Sequence, residues 1–433
     1  MRRINLSILI GILLTALYLT INFITINDYG VTWDFSYHFN AGLWHLGKPL
    51  TDPIFILSPS APLPDTIPVI LYNLFYEKLK ILPFDAVYNL YSVILGSVGV
   101  GILFFAAKSL FNFPIAFFSS VSLALLPRYF GHLHNNMKDI PQAAFFTLSL
   151  WMFWRLYKKP KLTNLVAACL AFAVSYNSKI NAVFILLITF AFLIFTYISR
   201  YKSIVIPKNI IPNLFRNPIG ILKQVQDDVK TSVQYDIKTK IIYFYFILAP
   251  LFAFLLWSIF WENPIGRLLE AFHTYTTSTT NMPLLYFGKI VYSGQNVPWH
   301  YPLGLLAVTT PILIIIFFLI GLYSLVRWRK LKLEARIFLF LWLTIPLSRY
   351  LKPHMIIIDD IRHFMEAVYP LSAIAGIGMY RFYLTMTIIL HSIIPRINKL
   401  FISFLYLLFV ICYLLFQNIS YHPYQTSYYN ELI

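Results

Sequence analysis

Apolar positions in this chain neither alternate nor recur every third or fourth residue. They run on for about 20 residues at a time, the length that crosses a bilayer as a helix. Such runs predict spans at 4–26, 88–107, 113–127, 140–157, 162–176, 181–199, 241–260, 303–326, 336–350, 364–385 and 400–417. The 162–176 run is short, and the stretch from Phe364 to Pro395 fits either one tilted helix or two broken ones. Met1-Arg2-Arg3 precedes the first run, which is too long for a signal peptide and lacks a small-residue cleavage site. It reads as a retained first helix with its N-terminus in the cytoplasm. With about eleven spans, the longer loops at 27–87, 128–139, 261–300, 351–363 and 418–433 fall outside. A polar insert at 201–240, interrupted by Pro207, Pro212 and Pro218, falls inside.

Composition and charge sharpen that reading. Of 433 residues, 59% are apolar and 12% charged, against about half and about a quarter in soluble domains. A stand-alone soluble enzyme is excluded. The 34 Lys and Arg outnumber the 17 Asp and Glu, and the excess gathers in loops assigned to the cytoplasm, such as Lys158-Lys159-Pro160-Lys161 and Arg327-Trp328-Arg329-Lys330. The +17 balance is therefore a topology signal, and nucleic acid is not expected as a partner. Cys169 and Cys412 lie in apolar runs and form no metal or disulfide pattern.

The chemistry lies in the external loops. In the first, Asp34 follows Trp33 in a weakly polar stretch at the end of the first span. Partial desolvation there is expected to raise its pKa and make it a better base. If the stretch is helical, His38 shares its face. The competing reading makes Asp34 the N-cap of a short interfacial helix from Phe35 to Leu46. In the second loop, Arg128, His132, His134, Asn135, Asn136, Lys138 and Asp139 crowd between two apolar helices. Asp139 alone reads as an N-cap, but one cap needs one residue, and polar crowds at membrane level mark sites. His132 and His134 lack further partners for zinc.

A third cluster, His354 to His363, ends in Asp360-Ile361-Arg362-His363 before a late span. Arg362 and His363 suit a lipid-linked phosphate, and an Asp360–Arg362 surface pair is the plain alternative. Lys179 is a further external cation with the same two readings. Trp299, with other aromatics of 261–300, suits either sugar stacking or an interfacial belt.

Taken in order, Trp33-Asp34 after the first span, Lys138-Asp139 before the fourth and Asp360-Ile361-Arg362-His363-Phe364 before a late span resemble family-39 glycosyltransferases. These are the protein mannosyltransferases and aminoarabinose transferases, with the all-α membrane fold called GT-C. The tail from Tyr421 to Glu431 is similar to a segment after the last span of bacterial members, and the resemblance covers most of the chain outside 201–240. It implies that Asp34 stands at the catalytic base and Asp139 at the second acid, while the acid that usually follows the base is replaced by Phe35. It leaves room for a soluble domain beyond Ile433 and for a divalent metal at the two aspartates.

The expectation is a single GT-C transmembrane domain over 1–433. It would transfer a sugar from a polyprenyl-phosphate donor to an acceptor hydroxyl on a protein, lipid or glycan, inverting the anomeric carbon outside the cell membrane. Asp34 and Asp139 would be catalytic, and Arg362, Lys138, His363 and Arg128 would hold the phosphate. His38, His134, Asn136 and Trp299 would contact substrate. The alternative is a polytopic transporter or lipid-linked sugar flippase, but ionisable groups gathered in loops on one side favour surface chemistry.

Overall fold

The computed structural model describes residues 6–49, 61–201, 240–257, 261, 263–277, 281–351, 356–357, 360–395 and 398–433. The 201–240 insert lies outside the described residues apart from its two ends, as do His354 and Asp359 of the third cluster.

The chain is a bundle of helices. The N-terminal half comprises α1 (Leu6–Ile24), α2 (Phe35–His45), α3 (Pro62–Leu71), α4 (Phe84–Leu110), α5 (Phe113–Ala124), α6 (Pro127–Leu133), α7 (Asp139–Lys158), α8 (Leu162–Tyr176) and α9 (Val183–Tyr201). The C-terminal half adds α10 (Lys240–Leu256), then α11 (Pro264–Thr277), α12 (Tyr301–Thr309), α13 (Ile312–Arg327), α14 (Leu333–Ser348), α15 (Met365–Ile393) and α16 (Lys399–Ser420). Among the described residues the only sheet is an antiparallel hairpin, β1 (Pro283–Tyr286) with β2 (Lys289–Tyr292), in which Leu285 faces Ile290.

Among the described residues the apolar runs read from the sequence lie on helix, and the stretch that begins at Phe364 is the single continuous α15. Five helices among the described residues are long and apolar enough to span a membrane, or six if the bent pair α5–α6 counts as one. Two runs are broken. The 113–127 run bends by 66° where Pro127 starts α6. The 303–326 run breaks at Pro311, which has no N–H to continue α12. The carbonyls freed there are met from the tail: Asn430 Nδ2 donates to Ala307 O and Thr310 O, both at 2.7 Å, and its backbone N–H to Val308 O at 2.8 Å. Membrane-buried backbone requires such partners.

Helix α4 is the central post, with 78% of its spanning window buried against 17% for the peripheral α1. It packs on α1, α5 and α7, while α15 packs on α5, α13 and α14. Without lipid-driven attraction between helices, close approach of small residues supplies the packing. At Gly378 an added Cβ would meet Phe317 O at 1.8 Å, and at Gly321 it would meet Ile374 O at 1.9 Å, so α13 and α15 touch backbone to backbone. Helices α2 and α3, both from the first long loop, pair with each other and α3 leans on α4. This arrangement gathers the start of α2, the start of α7 and the start of α15 at one end of the bundle.

Candidate active site

Asp34 occupies the residue before α2, but its side chain makes no capping hydrogen bond. The helix-cap role is therefore positional only. Oδ1 accepts from the Thr32 hydroxyl at 2.6 Å, and Oδ2 lies 3.4 Å from Arg362 Nη1 and 3.9 Å from His38 Nε2. The helical spacing of Asp34 and His38 puts them on one face, as the sequence suggested. The expected upward pKa shift is corrected by these partners. Burial pushes the carboxyl up, but the Thr32 hydroxyl, Arg362 and His38 together hold it below the usual carboxylate range. Asp34 is a firmly ionised carboxylate.

Behind it stands a residue that sequence reasoning passed over. His38 Nδ1 lies 2.7 Å from Asp65 Oδ1, and both residues are buried. Asp65 sits in the first turn of α3 among Pro62, Pro64 and Pro68. The approach of the two helices depends on Gly42, one turn beyond His38, where a Cβ would lie 2.1 Å from Asp65 O.

At α7, Asp139 is the first helical residue, not the cap. The Asn136 Oδ1 accepts from the N–H groups of Asp139 at 2.8 Å and Lys138 at 3.3 Å, and its Nδ2 donates to Asp139 Oδ2 at 3.1 Å. The Asp139 carboxylate is left to an ion pair with Lys179, both side chains nearly out of solvent. The sequence left Lys179 ambiguous; the structure assigns it to Asp139. Arg349 Nη1 pairs with the buried Glu366 at 2.9 Å, and the Tyr350 hydroxyl donates to His363 O at 2.9 Å. Arg349, Tyr350 and Glu366 were missed because they sit at the ends of apolar runs and read as span boundaries. Their signal was present: ionisable groups inside apolar helices are costly and rarely idle.

The remaining expected site residues separate. Arg362 and His363 lie with Asp34 and Asp139, and the Nε2 atoms of His363 and His132 are buried without a hydrogen-bond partner among the described residues. Arg128 is committed elsewhere. Its guanidinium pairs with Asp360, its Nε donates to Tyr428 O at 2.8 Å, and it lies 4.8 Å over the Tyr429 ring. Asp360 holds φ 68°, a left-handed conformation that aspartate tolerates better than most residues. His134 is fully buried away from the aspartates. It stacks on Tyr29 at 4.1 Å, its Nδ1 donates to Phe130 O at 2.8 Å, and Nε2 is 3.1 Å from the Thr25 hydroxyl. Burial lowers its pKa to about 4, so it is neutral, and it secures α6 to α1. Trp299 is exposed against His300. The donor set does not fit a divalent metal: Arg362 already faces Asp34 and Lys179 faces Asp139. No group of three or more His, Cys, Asp or Glu is suitably placed among the described residues.

Comparison with known proteins bears on the fold. Residues 83–208, which include Asp139 and Lys179, match the family model of dolichyl-phosphate-mannose-protein mannosyltransferase. The structure is similar to that of ArnT from Cupriavidus metallidurans bound to undecaprenyl phosphate, with 14% identity and a TM-score of 0.57 over 96% of this chain and 75% of that one. The chain has the GT-C membrane fold. A second GT-C relative in structure is the oligosaccharyltransferase of Archaeoglobus fulgidus, at 12% identity and a TM-score of 0.57 over 98% of this chain and 56% of that one. A further crystal structure of that enzyme, tethered to an acceptor peptide, matches with a TM-score of 0.55 and 13% identity over 96% of this chain and 55% of that one. No curated protein sequence matches the chain. The matched family segment holds Asp139, while Asp34 and Arg362 come from outside it.

Proposed function

We propose that the protein moves a sugar from a polyprenyl-phosphate donor to an acceptor hydroxyl, with inversion, at the extracytoplasmic face of the cell membrane. The observation that carries this reading is the Asp34–Arg362 pair: a carboxylate relieved of helix capping, 3.4 Å from a guanidinium. Inverting transfer needs both functions in one site, the carboxylate toward the attacking oxygen and the cation toward the phosphate leaving from the other face of the anomeric carbon. A carboxylate orients the acceptor hydroxyl and takes its proton as the oxygen attacks the anomeric carbon. A cation takes up the charge that develops on the departing phosphate.

Arg362, with His363 beside it and Lys138 at the start of α7, serves the phosphate. Arg128 in this reading holds the Asp360 turn and the tail in place, because its donors are already spent there. Asp139, Lys179, Asn136 and the Arg349–Glu366 pair form the floor that fixes the start of α7 against the start of α15. His38 and Trp299 remain candidates for substrate contact. Support for a polyprenyl-phosphate donor comes from two relatives: the family model is named for dolichyl-phosphate mannose, and the similar ArnT structure holds undecaprenyl phosphate. Support for the external side comes from the loop charges.

The test uses purified protein in detergent with polyprenyl-phosphate mannose, then the glucose and aminoarabinose equivalents, and a hydroxyl-bearing peptide or glycan acceptor. Release of polyprenyl phosphate together with an inverted glycoside is expected. Donor left intact by all three assays, with uptake of the lipid-linked sugar into sealed liposomes, would replace the enzyme by a carrier.

A further inference from the structure

We infer that His38, oriented by the buried Asp65, is the group to which Asp34 hands the acceptor proton. The inference rests on the reading of Asp34 as the base and goes beyond it. Asp65 is 1% exposed and His38 6%, so the 2.7 Å contact between them is made almost without water. A carboxylate only accepts hydrogen bonds, so in the neutral form of the His38 ring the proton sits at Nδ1 and the lone pair at Nε2. That lone pair faces Asp34 Oδ2 at 3.9 Å, and Asp34 is the carboxylate that makes no cap bond. Two acceptors at this separation leave room for one oxygen within about 2.8 Å of both. An attacking hydroxyl, or a water after product leaves, fits between them.

A purely structural role would tie α2 to α3, and the His38–Asp65 contact does that too. It does not explain why the second nitrogen faces the Asp34 carboxylate. The packing is also arranged around this contact: Gly42 lets α2 descend onto Asp65 O, and the Tyr37 ring stands edge-on to the imidazole at 5.1 Å. Tyr88, from α4, closes the same region, with its hydroxyl donating to Phe35 O at 3.4 Å.

The step balances. The acceptor oxygen forms a bond to the anomeric carbon. The bond from that carbon to the phosphate oxygen breaks, and its electron pair leaves on the lipid phosphate. The acceptor proton passes to Asp34 Oδ2 and then to His38 Nε2, while the Nδ1 proton stays against Asp65. The imidazolium so formed lies between two carboxylates and returns its proton to solvent before the next turnover. Such a second site matters because Asp34 is held below the usual carboxylate range and keeps a proton poorly. His38 is a catalytic residue in this scheme and Asp65 a positioning residue.

The experiment measures transfer from polyprenyl-phosphate mannose by the full chain in detergent, for wild type, Asp34→Asn, His38→Gln, His38→Ala and Asp65→Asn. Expected is a fall in kcat of about 10- to 100-fold in His38→Gln and Asp65→Asn, with the donor KM unchanged. In His38→Ala, free imidazole should restore turnover in proportion to its concentration, which a missing helix tie would not allow. Wild-type kcat in His38→Gln, or a loss in His38→Ala that imidazole leaves untouched, overturns the relay. If wild type transfers sugar and Asp34→Asn does not, such a result removes the relay alone. An inactive wild type across all donors removes the underlying reading with it.

Discussion

Asp34 Oδ2 and Arg362 Nη1 meet at 3.4 Å although 328 positions separate them in sequence. One comes from the first long loop and the other from the turn before the late helix α15. Their charges set each other's behaviour, and neither residue's environment can be read from its own neighbours. If Asp34 is the base, Asp34→Asn keeps the shape and loses the proton acceptor. Transfer should fall by at least about 100-fold while donor binding survives. Asparagine would cap α2 as well as aspartate does, so near-wild-type transfer would refute the assignment.

The depressed pKa of Asp34 carries a sign. A carboxylate held below its usual range stays ionised as pH falls, so protonation of Asp34 itself should limit transfer only below the usual carboxylate range. In Arg362→Ala the largest influence, burial, is opposed by one partner fewer, so the acid limb should move upward. The same variant should use the donor less well by about 1.5–3 kcal/mol, as for a lost charge-assisted hydrogen bond. A pH–rate profile superimposable on wild type would detach Arg362 from Asp34.

Lys179→Met leaves the Asp139 carboxylate buried and short of its cation. Breaking a buried pair from one side costs about 3–5 kcal/mol. Thermal unfolding in detergent should show a clear loss for Lys179→Met, much of it recovered in Lys179→Met with Asp139→Asn. Equal melting of single variant and wild type would mean that the pair contributes no net stability.

Gly42→Ala places a methyl group where Asp65 O now sits, 2.1 Å from the new carbon. Helix α2 must lift from α3, and the 2.7 Å contact of His38 with Asp65 should open. Reduced transfer with donor affinity preserved is the expected outcome. An unchanged rate would show that the site tolerates movement of α2.

Sidedness is testable by labelling. A cysteine at Asn296 should react with an impermeant thiol reagent added to intact cells, and one at Asn217 should not. The opposite result would turn the whole site to the cytoplasm.

Much of this fold was legible in the sequence because the membrane imposes one rule, and uninterrupted apolar runs follow from it. The break at Pro311 was not, since 303–326 reads as one apolar run and the group that makes the break tolerable, Asn430, lies 120 residues away from Thr310. The same applies to the site. Asp34, Asp139, Arg362 and His363 stood out as polar residues at the ends of apolar runs, and the structure brings them together. The pKa of Asp34 was misjudged because its dominant local feature is burial and its correcting partners include a distant arginine. Asp65 gave no signal of its own: a single acid among prolines has no pattern until α2 is laid beside it.

Arg128 grips the Asp360 turn with one part of its guanidinium and the Tyr428 carbonyl with another. The turn that presents Arg362 and the tail that plugs the gap at Pro311 are thereby fastened to one side chain. Neither can loosen alone. Amide exchange at 360–364 and at 425–430 should therefore rise together on warming, and a substitution in the tail would be felt at the turn that carries Arg362.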